Sequence, residues 1–250
     1  MLARIVDQYL AGAPSTPTES DVRRVKALVV PHAGYVYSGP IAASAYASLG
    51  KIAPSVRRVV LVGPCHRVHV RAIAVPSAHF FSTPLGEVEV DLEAIAIARK
   101  VADVEISEAA HAAEHSLEVQ LPFLQRVLHD FRIVPFGVGA AASSSVAAVL
   151  EALWGGPETL VVISSDLSHY LPYEVARTTD AETADRIVLL DDRPLSHDLA
   201  CGATGINALL EVARRRQMMP RLLDLRTSGD TVGPHDAVVG YGAFAFEEHV

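Results

Sequence analysis

The strongest constraint on this chain is an alternation. Short apolar runs rich in β-branched residues occur at 26–31, 57–62, 70–75, 132–136, 159–164 and 237–246. Between them lie longer stretches with helical periodicity, at about 40–49, 91–101, 116–129, 144–153, 174–189 and 203–216. Runs that are apolar along their whole length belong to strands covered on both faces, and the intervening helices supply the cover. The pattern predicts an α/β fold in a single domain spanning 1–250, with a mixed, mostly parallel sheet flanked by helices on both faces. Loop signals at 13–20, 82–86 and 228–236 punctuate it without a change of composition. The glycine-containing run at 237–246 is expected at or near a sheet edge, its glycines marking a bulge or a close backbone approach.

With 250 residues, half of them hydrophobic, the chain can bury one sizeable core. A formal net charge of −8 and the absence of a Lys/Arg cluster argue against a nucleic-acid partner. The one basic knot, Ala213 to Gln217, falls where a helix is expected to end, and cations there complement the helix dipole. No apolar run reaches the roughly 20 residues of a membrane helix, and the first residues lack a secretory pattern, so a cytoplasmic location without a membrane partner is expected. Two cysteines do not make a disulfide framework in a protein of this size.

Three of the apolar runs end in the same way: "KALVVPH" reaches His32, "RRVVLVGPCH" reaches His66, and "TLVVISSDLSH" reaches Asp166 and His169. In open α/β sheets ligands bind outside the carboxyl ends of the strands, where loop side chains are held rigidly at a common edge. If the three strands are parallel, these side chains share one pocket. Neutral imidazole is the commonest protein ligand for transition metals, and two such ligands need a further donor. Cys201, just before a helical segment, is the strongest candidate, because a helix N-terminus and a nearby cation both favour the thiolate. Cys65 precedes His66 on an extended segment, points the other way and is read as structural. Asp166 and His169 stand three apart, on one face if a helical turn follows the strand, and the carboxylate would then orient the imidazole for acid/base work. Ser116 is a candidate helix cap, with Glu114 and His115 just before it. His69, His79, His111, His129, His197, His235 and His249 are read as surface or loop residues.

The ordered motifs "PHAGYVYSG", "GPCH", "EHSLEVQLPF", "SSDLSHY" and "CGATGINALL" resemble the MEMO family over nearly the whole chain. That family is similar in fold to class III extradiol dioxygenases, non-haem iron enzymes that open catechol-type rings with O₂. The resemblance implies that His32, His66 and Cys201 line the metal position, that Asp166 and His169 stand beside it with His169 as acid/base, and that Tyr37 and His115 line the pocket. The dioxygenases use two histidines and a carboxylate, whereas the third donor here is a thiol, softer and itself oxidisable. Family members have been linked to metal-dependent redox chemistry and to binding phosphorylated peptides. Prokaryotic members resemble a component that travels with radical-SAM and AMMECR-like proteins.

Three functions are consistent with these residues. The first is a non-haem Fe(II) redox enzyme acting on a small catechol-like molecule, with Zn or Cu as other occupants. The second is a zinc-dependent hydrolase in which His169 or Asp166 serves as base for a bound water. The third is a non-catalytic module that binds a (phospho)peptide or anion in a degenerate dioxygenase pocket. Substrate choice would rest with loops such as 77–87 and 228–236.

Overall fold

The computed structural model describes residues 1–14 and 23–249, so the loop expected over 13–20 lies mostly outside the described residues. Its strands are β1 (Arg23–Val30), β2 (Arg58–Pro64), β3 (Ile73–Val75), β4 (Phe80–Thr83), β5 (Gly86–Val90), β6 (Val104–Ile106), β7 (Arg132–Val138), β8 (Thr159–Ser164), β9 (His169–Leu171), β10 (Met219–Thr227) and β11 (Val238–His249). The helices are α1 (Leu2–Gly12), α2 (Tyr35–Ala47), α3 (Leu92–Ala98), α4 (Glu108–Ala112), α5 (Leu121–Val127), α6 (Ser143–Ala152), α7 (Tyr173–Val188) and α8 (Ala203–Arg215).

One sheet runs in the order β10-β11-β1-β8-β2-β7-β3-β6, with β4, β5 and β9 attached at its margins. The four central strands, β1, β8, β2 and β7, are all parallel. Antiparallel pairing is confined to the flanks, where β11 joins β1 and β10, and β3 joins β7. Every residue of β8 is buried, as its unbroken apolar run requires of a central strand covered on both faces. Helices α6 and α8 pack together on one side, with α8 against β2 and β8. On the other side α1, α2 and α5 form a second group, with α2 against β1 and β11.

The final strand stands one place in from the edge, because β10 pairs outside it. β10 escapes the sequence pattern because an edge strand needs no continuous apolar run, and only its last residue is buried. The 82–86 loop is the turn of the β4–β5 hairpin, with Gly86 at φ 122°, a backbone region that favours glycine. Helix α2 begins at Tyr35, five residues before the expected start, and carries Pro40 in its interior. Proline removes one amide donor, so the bond that residue 40 would otherwise make to the Val36 carbonyl is missing, on a turn where Val36 is 56% exposed. The segment 116–129 is not one helix. A 3₁₀ turn at Glu118–Gln120 leads into α5.

Candidate metal centre

The three strand endings are equivalent. His32 is the second residue beyond β1, His66 the second beyond β2, and Asp166 the second beyond β8. Since β8 lies between β1 and β2 and all three are parallel, the residues emerge side by side at one sheet edge. Cys201 arrives from elsewhere, two residues before α8. Gly202 lets that helix begin against the end of β8, since a Cβ there would meet the Ser164 carbonyl oxygen and the Ser165 Cβ at 2.7 Å. The Cys201 thiol then stands 3.4 Å from His32 Nε2 and accepts the Asp166 amide at 3.3 Å. One donor atom from each of His32, His66 and Cys201 lies within 4.8 Å of the others.

Each imidazole is held by its Nδ1. His66 Nδ1 is 3.0 Å from Glu114 Oε1, and because a carboxylate only accepts, Nδ1 carries a proton, which in the neutral ring leaves the lone pair on Nε2. His32 Nδ1 is 2.9 Å from the Ser164 hydroxyl. Two nitrogens and a sulfur of this geometry suit a divalent transition metal, and partners fixing the far ring nitrogen are the usual support of such ligands.

Burial dominates the electrostatics. It pushes His32 down to about 3, helped by the neighbouring His66 and His115 rings, so the ring is neutral and ready to ligate. Burial, and after it the Asp166 charge, raises the Cys201 thiol to about 12. The expected helix-end effect exists, because hydrogen bonds from Asp166, Ser165 and Gly202 favour the thiolate, but desolvation outweighs it. The cysteine is a thiol until a cation displaces its proton. Asp166 is itself raised above the usual carboxylate range by burial, against the opposing pull of amides from His32 and Ala33 and of the His169 ring.

Asp166 and His169 do not share a helical turn, since residues 165–168 form no helix and His169 opens β9. Asp166 Oδ1 accepts the His32 amide at 2.7 Å, and His169 Nδ1 donates to the Leu167 carbonyl at 2.8 Å. His115 reaches the centre: its ring stacks on His66 at 5.8 Å and meets His32 edge-on at 6.0 Å. Tyr37 lies 39% exposed on the first turn of α2, and Tyr35 rather than Tyr37 lines the hollow beside His115. Ser116 does not cap a helix, because its hydroxyl donates to the Pro64 carbonyl. Cys65 packs with Val70, Ala74 and Ala110, and burial raises its thiol to about 11.

A family model described as Memo-like protein matches residues 1–245. This chain belongs to the Memo-like family. It is 40% identical over 255 residues to a MEMO1 family protein of Ignicoccus hospitalis, covering 94% of this chain and 88% of the relative. It is 37% identical to another from Caldivirga maquilingensis, covering 96% and 89%. Among solved structures, an uncharacterized protein of Escherichia coli K12 shares the fold at a TM-score of 0.58 and 14% identity, over 90% of this chain and 100% of that one.

The Memo-like site contains residues whose role local pattern did not reveal. Glu114 is buried, and its carboxylate accepts the amides of His66, His115 and Ser116 in addition to the His66 ring. Burial alone would raise its pKa, but these bonds hold it well below the usual carboxylate range. Its place beside a histidine in "AEHS" was the only available signal. His69 and His197, expected at the surface, are exposed but line a cavity of about 340 Å³ together with Cys65, His66 and Cys201. His197 donates through Nδ1 to the Cys201 carbonyl at 3.1 Å. A second hollow, of about 350 Å³, opens beside His115 between Tyr35, Pro84 and Pro122. His111 is buried and bonds the Ala74 carbonyl through Nε2, whereas His79, His129, His235 and His249 are exposed.

Proposed function

We propose that this Memo-like protein is a metal-dependent redox enzyme in which divalent iron is held by Nε2 of His32, Nε2 of His66 and Sγ of Cys201. The observation that carries this reading is the convergence of two imidazoles and one thiol within 4.8 Å, bordering a cavity large enough for a small molecule. When bound, iron supplies open coordination positions and one-electron chemistry beside three protein donors. His169, whose Nδ1 is committed to the Leu167 carbonyl, keeps a free Nε2 lone pair to take a proton from an acidic hydroxyl such as that of a catechol. Asp166 lies close enough for its charge to interact with the His169 ring, and it holds the His32 loop by accepting that residue's amide.

The test is anaerobic loading with Fe(II), followed by nitric oxide as a surrogate for O₂. A nitrosyl EPR signal that Cys201→Ala weakens or abolishes supports the iron reading. Failure of Fe(II) to compete with Zn, together with no oxygen consumption on any catechol tried, overturns it. A second reading draws support from the thiol itself, since a cysteine in place of the carboxylate makes the set softer and better suited to zinc or copper. Zinc with a water in its fourth position would make a hydrolase, and retention of zinc with metal-dependent hydrolysis would favour it.

A further inference from the structure

Behind His32 lies a closed set of buried hydrogen bonds whose direction can be worked out from its two carbonyl ends. Gln120 Nε2 is 3.0 Å from the Pro31 carbonyl and 2.8 Å from the Ser164 hydroxyl. The carbonyl only accepts, so the Gln120 nitrogen faces it, and the second N–H of the same amide points at Ser164. Gln120 Oε1 in turn accepts the Tyr46 hydroxyl at 2.8 Å. The Ser164 hydroxyl lies 2.6 Å from the Ser116 carbonyl, a second group that only accepts, and its single hydrogen goes there. Ser164 Oγ therefore has only a lone pair left for His32 Nδ1, 2.9 Å away. Tyr46, Ser116, Gln120, Ser164 and His32 are all buried, so water does not offer an alternative partner.

The geometry points to Ser164 as a positioning residue: with its hydrogen held by Ser116, it forces the His32 proton onto Nδ1 and turns the Nε2 lone pair toward Cys201. Gln120 and Tyr46 keep Ser164 in place, and Gln120 also pins the peptide that leads into His32. The two imidazoles thus reach the same tautomer by different means, a carboxylate for His66 and a polarised hydroxyl for His32. A neutral lock leaves His32 less electron-rich than a carboxylate would, so the two ligands differ in donor strength.

This inference rests on His32 being a metal ligand, but its first test needs no metal. Long-range ¹H–¹⁵N spectra of the metal-free protein, with the His32 signal assigned by its loss in His32→Gln, report the tautomer directly. We expect Nδ1–H in the wild type. In Ser164→Ala we expect a mixture or Nε2–H, together with Co(II) binding weakened about 10–100-fold. An Nε2–H His32 in the wild type overturns the proposal whether or not the variant folds, as does an unchanged tautomer and Co(II) affinity in Ser164→Ala. If neither protein binds Co(II) but the tautomer changes as stated, the metal reading fails and the assignment of Ser164 stands.

Discussion

The carboxylate of Glu114 holds His66 twice, accepting its backbone amide at 2.5 Å through Oε2 and its ring Nδ1 at 3.0 Å through Oε1. One buried side chain therefore sets both where the His66 backbone lies and which nitrogen faces the metal position. The same oxygen that binds the ring accepts the amides of His115 and Ser116, tying the segment that brings His115 over His66.

Replacing Glu114 by Gln should weaken Co(II) or Zn binding about 10–100-fold, the usual effect of losing a carboxylate behind a ligating histidine. Titration followed by the thiolate-to-cobalt absorption band measures this, and a Kd within twofold of wild type would refute it. Because the folded pKa of Glu114 is depressed, its stabilisation is complete above the unfolded value near 4.5 and is lost as pH falls below it. Acid unfolding curves of Glu114→Gln should therefore lack part of the wild-type slope below about pH 4.5.

Cys201→Ser should abolish tight metal binding while Cys65→Ser leaves it unchanged. The Cys201 thiol, raised to about 12 by burial, carries its proton in the metal-free protein, so binding releases it. That proton alone should lower the apparent Kd about tenfold for each unit rise in pH below the thiol's own value. His32, already neutral above its lowered value of about 3, adds nothing to that slope. Competition with a chelator of known pH dependence measures it, and equal metal loss in the two cysteine variants would count against the assignment.

His169→Ala should keep the fold and the metal, because its ring is bonded to the Leu167 carbonyl and is not among the three converging donors. Any turnover found for the wild type should drop about 10²–10⁴-fold, the range expected for a general acid/base. Metal loss in this variant would make His169 a ligand instead.

Gly240→Ala should destabilise the protein by about 1–3 kcal/mol, as overpacking of a filled interior does. A Cβ at that position would lie 1.8 Å from Asp180 Oδ2, and the buried Asp180 also accepts the Ser168 amide next to His169. Thermal or urea unfolding reads the change, and a stability equal to wild type would show that Asp180 can move aside.

The central strands and the residues at their ends were legible in the sequence, because each depends on local chemistry. An unbroken β-branched run such as Thr159–Ser164 has few alternatives to a buried strand, and a polar residue just beyond it must sit at the strand's carboxyl end. The 213–217 knot likewise ends α8 as its charge required. Short or marginal elements were not legible: β9 is three residues long, and β10 lies at an edge where burial imposes no pattern.

Only the tertiary structure decided how the site is assembled. That β8 stands between β1 and β2 puts Asp166 between His32 and His66, and strand order is a matter of long-range pairing that no local period records. The partners that choose the ring tautomers are equally distant, Glu114 lying 48 residues from His66 and Ser164 132 residues from His32. The state of Cys201 also depended on the fold. Its place before a helix favoured a thiolate, but burial beside Asp166 costs more than the helix end returns, and the thiol keeps its proton until a cation arrives.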